Sequence, residues 1–486
     1  MNMEVLMVSL DQLLSPYPQA LELSANAVRA EIRANSTTEP VFFVLDDDPT
    51  GTQSVADIPV LTTWSLEDCK WALMQEKPAI YVMTNSRSLP RSEVAIIIDE
   101  IVQNASEAAR ELNIPISFVS RSDSTLRCHF PHEAASIAKS IEKNGQDIDG
   151  IILIPAFPDA GRLTINGVHY CREGNSYIPV GESEFARDAS FGFHSSELAL
   201  WVEEKSRGEI PFDNVVTADL NCVRTQPEEL LSRVMSICNG MVFAPDAACE
   251  EDLRAISLAL IQAEAQGKHF VYHVGPPFMR ARIGQDRHAP ITSDEINTLI
   301  DSERAFVPGG LVVVGSHVAV TNAQLNHLTS NVPLHHIELD VSQVIDDSQR
   351  EMYLNELAHE AIDCLSEKTV LISTSRKVHT ASNPEASLAI ARLVSASLVR
   401  LVQDIIAGTS PRFVIAKGGI TSSDLASKAL QMRHAMCIGP MLEGIISLWT
   451  ACSGPALGIP YIVFPGNVGD ETALTQVVQK LTASQK

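Results

Sequence analysis

Short, almost wholly apolar runs alternate with longer amphipathic stretches along the chain, and this alternation restricts the fold more than any other feature. Amphipathic stretches such as 93–112 and 385–406 predict helices. Buried strands that alternate with helices are typical of parallel sheets covered on both faces. The sequence therefore predicts an α/β fold with two domains, each a mainly parallel sheet with helices on both faces. The predicted strands are 41–45, 79–83, 116–120, 150–156, 241–245, 269–274, 310–316, 369–374, 412–419 and 461–466.

A chain of 486 residues is long enough for two or three domains. The segment 275–310 interrupts the alternation with proline, glycine and charge, so a domain boundary is placed within it. An N-terminal extension with one helix pattern, from Leu21 to Ile32, comes before the first strand. The expected division is an extension over 1–39, a first domain over 40–280 and a second over 281–486.

Composition excludes several classes of partner. The 60 acidic and 36 basic residues give a net charge of −24, which would be repelled by nucleic acid and by anionic membranes. No apolar run is long enough for a membrane span, and the N-terminus lacks the basic region of a signal peptide. The nine cysteines are scattered and never spaced C-x-x-C, which disfavours both a disulfide framework and a zinc site. A reducing, cytoplasmic location is expected.

Polar and charged residues follow each of the first four predicted strands. Ligands of parallel sheets bind beyond the carboxyl ends of the strands. Arginines bind carboxylates or phosphates through paired N–H groups, and aspartates accept hydrogen bonds from hydroxyls. One such strand end is equally well explained as an ordinary turn, but four together predict a pocket for a small, anionic, hydroxyl-rich ligand such as a sugar acid or phosphosugar. These residues are Asp46, Asp47, Asp48, Thr50 and Gly51; Asn85, Ser86 and Arg87; Arg121, Asp123, Ser124, Thr125 and Arg127; and Asp159, Gly161, Arg162 and Asn166.

The second half of the chain has glycine-rich turns between strands and helices instead. Three such turns occur, at 315–316, 418–422 and 466–469. Glycine lets backbone approach a ligand closely, and a helix start offers N–H groups to phosphate. The turns predict a nucleotide site, although no G-x-x-x-x-G-K-[ST] and no G-x-G-x-x-G is present. A domain with acid and hydroxyl chemistry beside a phosphate-binding domain is typical of a small-molecule kinase.

Five motifs in chain order resemble the four-carbon acid sugar kinase family, and the resemblance extends from about Val41 to Leu474. It implies a two-domain, ATP-dependent enzyme that phosphorylates threonate, erythronate or their oxo relatives. The N-terminal domain would bind the sugar acid, and the C-terminal domain would bind ATP, with Mg²⁺ on its phosphates. The motifs are "DDDPTGTQ", "SRSDSTLR", "PAFPDAGRLTINGVHY", "ESEFARD" and "KGGITSSDLA".

The resemblance and the strand-end residues together assign roles. Asp47 or Asp48 is expected to activate the substrate hydroxyl, and Arg127 with Arg121 to hold its carboxylate. For Arg121, pairing with a nearby aspartate is the competing interpretation. Lys417 is expected either to add positive charge beside the ATP phosphates or, equally, to face solvent. The remaining substrate residues are Thr50, Gly51, Ser86, Arg87, Asp123, Ser124, Thr125 and Arg162. The nucleotide residues are Ser316, Gly418, Gly419, Ile420, Thr421, Gly466, Asn467 and Gly469, with Gly439 and Gly444 in an expected loop at 438–444.

Three departures from the family pattern leave the particular four-carbon acid open. Cys128 stands where the family has glycine, Pro49 replaces an apolar residue, and 445–454 differs from the usual pattern. Two other functions remain open. One is a metal-dependent sugar-acid isomerase or dehydratase that uses the aspartate cluster, and the other is a non-catalytic sensor of sugar acid and nucleotide. The sequence identifies no metal ligand set, and it leaves open whether the protein forms a homodimer.

Overall fold

The computed structural model describes residues 7–35, 40–300, 305–316, 318–375 and 384–483, with the backbone alone at 384–388. Within these residues the chain forms strands and helices in regular alternation. The strands are β1 (Val41–Asp46), β2 (Ile58–Leu61), β3 (Ala79–Met83), β4 (Ile116–Arg121), β5 (Gly150–Ile154), β6 (Arg162–Ile165), β7 (Val168–Glu173), β8 (Ser176–Pro179), β9 (Val215–Ala218), β10 (Met241–Pro245), β11 (Phe270–Val274), β12 (Leu311–Val314), β13 (Leu334–Leu339), β14 (Thr369–Thr374), β15 (Val414–Lys417), β16 (His434–Leu442), β17 (Ile445–Ala451) and β18 (Pro460–Phe464).

The helices vary from one turn to seven. They are α1 (Leu10–Leu14), α2 (Ala25–Asn35), α3 (Leu66–Leu73), α4 (Arg91–Leu112), α5 (His132–Lys143), α6 (Leu198–Ser206), α7 (Leu220–Thr225), α8 (Pro227–Met235), α9 (Glu250–Ala265), α10 (Pro276–Arg282), α11 (Ser293–Leu299), α12 (Ala319–Asn331), α13 (Val341–Ile345), α14 (Arg350–Leu365), α15 (Pro384–Gly408), α16 (Gly419–Asp424) and α17 (Ala473–Thr482). Among the described helices, none has both the length and the hydrophobicity required to span a bilayer.

The first compact unit comprises Met1–Val55 and Trp64–Arg287. Its main sheet is parallel throughout, with strand order β3-β1-β4-β11-β5-β10-β9. The central strands are aliphatic or aromatic at successive positions because helices cover both faces; Phe42, Phe43 and Val44 of β1 are all fully buried. Burying each such side chain contributes on the order of 1.5–3 kcal/mol. A separate antiparallel sheet, β6-β7-β8, follows β5.

The second unit comprises Ala56–Thr63 and His288–Lys486. Five parallel strands, β13-β14-β12-β15-β18, continue into the antiparallel strands β17, β16 and β2. The last of these strands comes from residues 58–61, far from the rest of the unit in sequence. Its attachment includes hydrogen bonds from Thr62 to the carbonyl oxygens of Met432 and Arg433.

The α/β class and the two mainly parallel sheets are confirmed, and all ten predicted strands are present. The predicted helices at 93–112 and 385–406 correspond to α4 and α15, and the helix pattern in the extension corresponds to α2. One local prediction is wrong. The expected loop at 438–444 is mostly strand β16, and the unusual stretch after it is β17, its hairpin partner. Buried and partly exposed positions alternate along the first half of β16, so it lacks the continuous apolar run that identifies the predicted strands in the sequence.

Candidate functional site

Three consecutive aspartates stand at the carboxyl end of β1, and the first of them, Asp46, is the last residue of the strand. Asp46 and Arg121 are the last residues of the neighbouring strands β1 and β4 and lie opposite each other in register. Their side chains form a buried ion pair. A Cβ on Gly51 would lie only 2.1 Å from Asp46 Oδ2 and 2.3 Å from Arg121 Nε, so glycine is required where the following turn packs against the pair. This arrangement favours the competing interpretation of Arg121, in which it pairs with a nearby aspartate.

Asp47 is held by an arginine from the next strand end. Arg87 donates from Nη2 and Nε to the two carboxylate oxygens of Asp47, at 2.7 and 3.0 Å. The turn that carries Arg87 begins at Asn85, whose left-handed backbone (φ 52°) asparagine tolerates better than most residues. Burial disfavours the charged form of Asp47 and raises its pKa, and the paired Arg87 guanidinium opposes this shift.

Asp48 differs from Asp47 in being partly open. Its side chain is 23% exposed, against 2% for Asp47. Oδ1 accepts hydrogen bonds from the backbone N–H of Thr50 at 2.9 Å and from its hydroxyl at 2.5 Å. Oδ2 lies 3.3 Å from Arg87 Nη1. Asp48 is therefore the carboxylate of this pair that a ligand can approach.

The loop after β4 forms a second acid–base cluster. Asp123 Oδ2 accepts from Arg127 Nε at 2.7 Å and from the Thr125 hydroxyl at 2.6 Å. Burial disfavours the charged form of Asp123, but Arg87 and Arg127 outweigh it and lower its pKa to about 2. Asp123 is thus a fixed negative charge, and its partners are aligned around it.

Two arginines flank one aromatic ring at this site. The guanidinium carbons of Arg127 and Arg162 lie 4.9 and 5.9 Å from the centre of the Phe185 ring. Phe185 belongs to the "ESEFARD" motif. The Arg127 side chain is 26% exposed. The fork of Arg127 is therefore accessible to an anion while its stem and face are held in place.

Two further predicted residues of this unit, Ser86 and Ser124, are buried. The Ser86 hydroxyl donates to Glu133 Oε1 at 2.5 Å, and the Ser124 carbonyl oxygen accepts from His169 Nε2 at 2.8 Å. Burial lowers the pKa of His169 to about 4, so the ring is neutral at physiological pH. Glu133 and His169 were missed by sequence reasoning because neither lies at the end of a predicted strand.

Cys128, the departure from the family's glycine, is also buried. Its Sγ lies 3.5 Å from His273 Nε2, and His273 Nδ1 lies 3.0 Å from the Ser120 hydroxyl. Burial raises the pKa of the Cys128 thiol to about 12 and lowers that of His273 to about 3. Both groups are neutral, so this pair is not an activated thiolate.

In the second unit, the three predicted glycine turns converge. A Cβ on Gly315 would lie 2.2 Å from Thr421 Oγ1, and one on Gly466 would lie 2.8 Å from Ser316 Oγ. Gly418 has φ 121°, a conformation that favours glycine, and its Cα would lie 3.9 Å from the Cβ added to Gly466. The carboxyl ends of β12, β15 and β18 therefore meet in one glycine-rich cluster, which we call the turn cluster.

The other predicted nucleotide residues fall in three places: the start of α16, the turn after β18, and the β16–β17 hairpin. Gly419 begins α16, Ile420 follows it with an exposed side chain, and Asn467 is exposed in the turn after β18. Gly469 lies beside Gln324, which donates to the carbonyl oxygens on either side of it. Gly439 lies within β16 against His288 and Ile291, and Gly444 lies in the β16–β17 turn.

No group of three or more histidine, cysteine, aspartate or glutamate side chains suited to a metal occurs among the described residues. The aspartates at the end of β1 are instead engaged by arginines. A divalent cation at this site would therefore need ligands from a bound molecule. Mg²⁺ that arrives on nucleotide phosphates meets this condition, since Mg²⁺ commonly keeps its waters and takes few protein ligands.

Fold and site define a protein with one domain for a sugar-type ligand and one for a nucleotide. Comparison with protein families agrees. Residues 42–282 match the model of a sugar-binding N-terminal domain, and residues 311–474 match that of a nucleotide-binding C-terminal domain. These two domains form the architecture of the four-carbon acid sugar kinase family, and the chain belongs to that family. The membership expected from the five motifs is confirmed.

Solved structures with the same fold are distant in sequence. Haemophilus influenzae protein HI1011, of the DUF1537 family, is 19% identical with a TM-score of 0.60, over 90% of this chain and 100% of that one. A Salmonella typhimurium LT2 protein, described under a provisional tRNA-synthase name, is 16% identical with a TM-score of 0.64, over 90% and 98%. At these identities the likeness concerns the fold. A search of curated proteins found no match.

Proposed function

We propose that the protein is an ATP-dependent kinase that phosphorylates a hydroxyl of a four-carbon sugar acid of the threonate, erythronate or 3-oxo-tetronate type. One observation carries the proposal. At the carboxyl ends of the neighbouring strands β1 and β3, a partly open carboxylate, Asp48, contacts Arg87, and the loop after β4 carries Arg127, whose side chain is 26% exposed. Such a site offers a hydroxyl a proton acceptor and offers a carboxylate a bidentate partner.

Two aspartates of the site hold arginines in position, and two other groups contact the substrate. Asp47 fixes Arg87, and Asp123 fixes Arg127, through the hydrogen bonds described above. Arg127 binds the carboxylate of the sugar acid, and Asp48 accepts the proton of its reacting hydroxyl. The hydroxyl oxygen forms a bond to the γ-phosphorus of ATP as the bond to the β,γ-bridging oxygen breaks, which leaves ADP and the phosphorylated acid.

The turn cluster is the site proposed for the ATP phosphates. Its glycines let the backbone come close to phosphate oxygens, and the hydroxyls of Ser316 and Thr421 lie within it. Mg²⁺ on the phosphates supplies charge neutralisation for the transfer. The protein would contribute positioning, which is most of what phosphoryl transfer requires.

We infer a cytoplasmic location from the cysteines, which are all free in the structure, several of them buried. The assembly proposed is a monomer or a homodimer, and light scattering after size-exclusion chromatography distinguishes them.

The test is to incubate the protein with MgATP and a panel of four-carbon acids that covers both stereoisomers and the 3-oxo forms. ADP release is followed by a coupled assay, and the product is identified by phosphorus NMR. One acid should give ADP and a phosphate ester in equal amounts. Turnover of an acid without nucleotide would favour the metal-dependent isomerase or dehydratase, and binding of both ligands without turnover would favour the sensor.

A further inference from the structure

Lys417, the last residue of β15, is fully buried. Its Nζ donates to the carbonyl oxygen of Pro465 at 2.9 Å and lies 4.0 Å from the centre of the Phe464 ring. A lysine ammonium has three N–H donors, and the carbonyl oxygen and ring face satisfy it only in part. A buried ammonium with one carbonyl partner is an incompletely compensated charge.

No carboxylate compensates Nζ among the described residues. The adjoining strand β12 carries no titratable side chain, and β18 carries Tyr461, whose hydroxyl donates to the Ser422 carbonyl oxygen. The neighbouring α16 carries Asp424, which accepts from Ser395 and pairs with Lys428. Burial lowers the pKa of Lys417 to about 7.

The position of this ammonium is defined by two of the three glycine turns. Lys417 directly precedes Gly418, and its acceptor Pro465 directly precedes Gly466. The backbone also ties the strand ends together, since Gly418 N donates to the Phe464 oxygen at 2.9 Å and Gly315 N to the Lys417 oxygen at 3.2 Å. The residue that carries Nζ and the residue that accepts from it are therefore each bonded directly to a glycine of the turn cluster, the site proposed for the phosphates.

We propose that Lys417 is a phosphate-binding residue of the turn cluster, and that the phosphates of a bound nucleotide compensate the charge of its buried ammonium. The inference rests on the proposed nucleotide site. No carboxylate of the described residues pairs with Nζ, so the phosphates of a nucleotide bound beside it would supply the missing negative charge. That charge would favour the protonated amine. Binding then takes up a proton from solvent, and affinity is linked to pH.

The sign of this linkage follows from the two states. Free Lys417 loses its proton as pH rises through about 7, whereas bound Lys417 keeps it to higher pH. Nucleotide affinity is therefore greatest below pH 7 and falls as pH rises above it, by up to about tenfold per pH unit.

The experiment is isothermal titration calorimetry of the full-length protein with MgADP at pH 8, in buffers with different ionisation enthalpies such as HEPES and Tris. The slope of the observed enthalpy against buffer ionisation enthalpy gives the number of protons exchanged. Wild-type protein should take up between about half a proton and one proton per nucleotide. Lys417→Met should bind more weakly and take up none, since methionine fits a buried site of this shape. Lys428→Met, at an exposed lysine of the same unit, is the matched control and should behave like wild type.

The wild-type measurement decides the question even if the variant fails to fold. MgADP binding with no proton uptake would overturn the role of Lys417 while leaving the kinase proposal intact. Unchanged uptake in folded Lys417→Met would do the same. Conversely, proton-linked MgADP binding in a protein that phosphorylates no four-carbon acid would support the role of Lys417 and reject the kinase. Absence of MgADP binding would reject both.

Discussion

Arg87 donates to both carboxylate oxygens of Asp47, from Nη2 at 2.7 Å and from Nε at 3.0 Å, and so connects the ends of β1 and β3. Asp47 is thereby engaged on both oxygens and almost wholly buried, while its neighbour Asp48 stays partly exposed. Two adjacent aspartates thus have different surroundings, and their replacement should have different consequences.

Asp48→Asn should lower kcat by about 100- to 10,000-fold, because the amide cannot accept the proton of the substrate hydroxyl. It should fold normally, since the amide oxygen can still accept from Thr50. Asp47→Asn should instead lower the free energy of unfolding by about 2–4 kcal/mol, because it breaks a largely buried ion pair. Steady-state kinetics and urea unfolding separate the two effects, with Asp213→Asn at an exposed site as control. If Asp48→Asn keeps full kcat, Asp48 is not the proton acceptor.

Arg127→Lys should raise KM for the sugar acid by about fivefold to 160-fold, corresponding to about 1–3 kcal/mol for a hydrogen bond to a charged group. Lysine keeps the charge but loses the fork and the face that packs on Phe185. KM for ATP should stay constant. Arg110→Lys, at an exposed helix position, controls for the substitution itself. An unaltered KM for the acid would show that the carboxylate binds elsewhere.

Gly419→Ala should remove stabilisation by MgATP while keeping stabilisation by the sugar acid. Position 419 begins α16, where alanine is compatible with the helical backbone, so the fold should be retained. The added methyl group would stand where the phosphates are proposed to approach the backbone. Thermal unfolding with each ligand separately is the measurement, and the acid-dependent shift serves as internal control. Survival of both shifts would place the nucleotide away from this turn.

Two buried histidines should each lower the stability of the first unit as pH falls from about 6.5 toward 4. Burial lowers the pKa of His169 to about 4 and that of His273 to about 3. The unfolded chain therefore binds more protons than the folded chain in this range. Protonation of these histidines thus lowers the free energy of unfolding as the pH is lowered. At pH 5 each histidine should cost about 2 kcal/mol relative to pH 7.5.

Urea unfolding at pH 5 and pH 7.5 tests this expectation. His273→Gln should reduce the difference between the two pH values by about 2 kcal/mol. His194→Gln, whose side chain is almost fully exposed, should leave the difference unchanged. The assignment of His273 would be contradicted if His273→Gln showed the same difference in stability between the two pH values as the wild-type protein.

The sequence predicts the inner strands of the parallel sheets and misses most strands that are short, antiparallel or at a sheet edge. The ten apolar runs all became strands of the parallel sheets. Strand β13 carries His336 and Glu338 at alternate exposed positions because one face is solvated. Strands β6 and β8 have only four residues each, and β7 ends in the exposed pair Arg172 and Glu173, so their apolar pattern is weak. Strand β2 could not have been placed, because its partner β16 lies more than 370 residues further along the chain.

The predicted site depends on one topological rule, that ligands bind at the carboxyl ends of parallel strands, and the rule located the polar residues of β1, β3 and β4 together. It could not show which strands are neighbours, so the in-register pairing of Asp46 with Arg121 was beyond it. Burial of Lys417 was equally beyond it, because its hydrogen-bond acceptor, Pro465, is 48 residues away in the sequence.

The residence of β2 in the second unit has a practical consequence for dissecting the protein. A cut between Arg287 and His288, where the two units divide along most of the chain, would leave β2 on the wrong fragment. The C-terminal half would then present the bare backbone of β16 as an open sheet edge, which promotes aggregation. The N-terminal half would carry an orphaned apolar segment, "IPVL". Two separately expressed halves should therefore be poorly behaved, and a C-terminal fragment should improve when a peptide spanning 56–63 is supplied in trans.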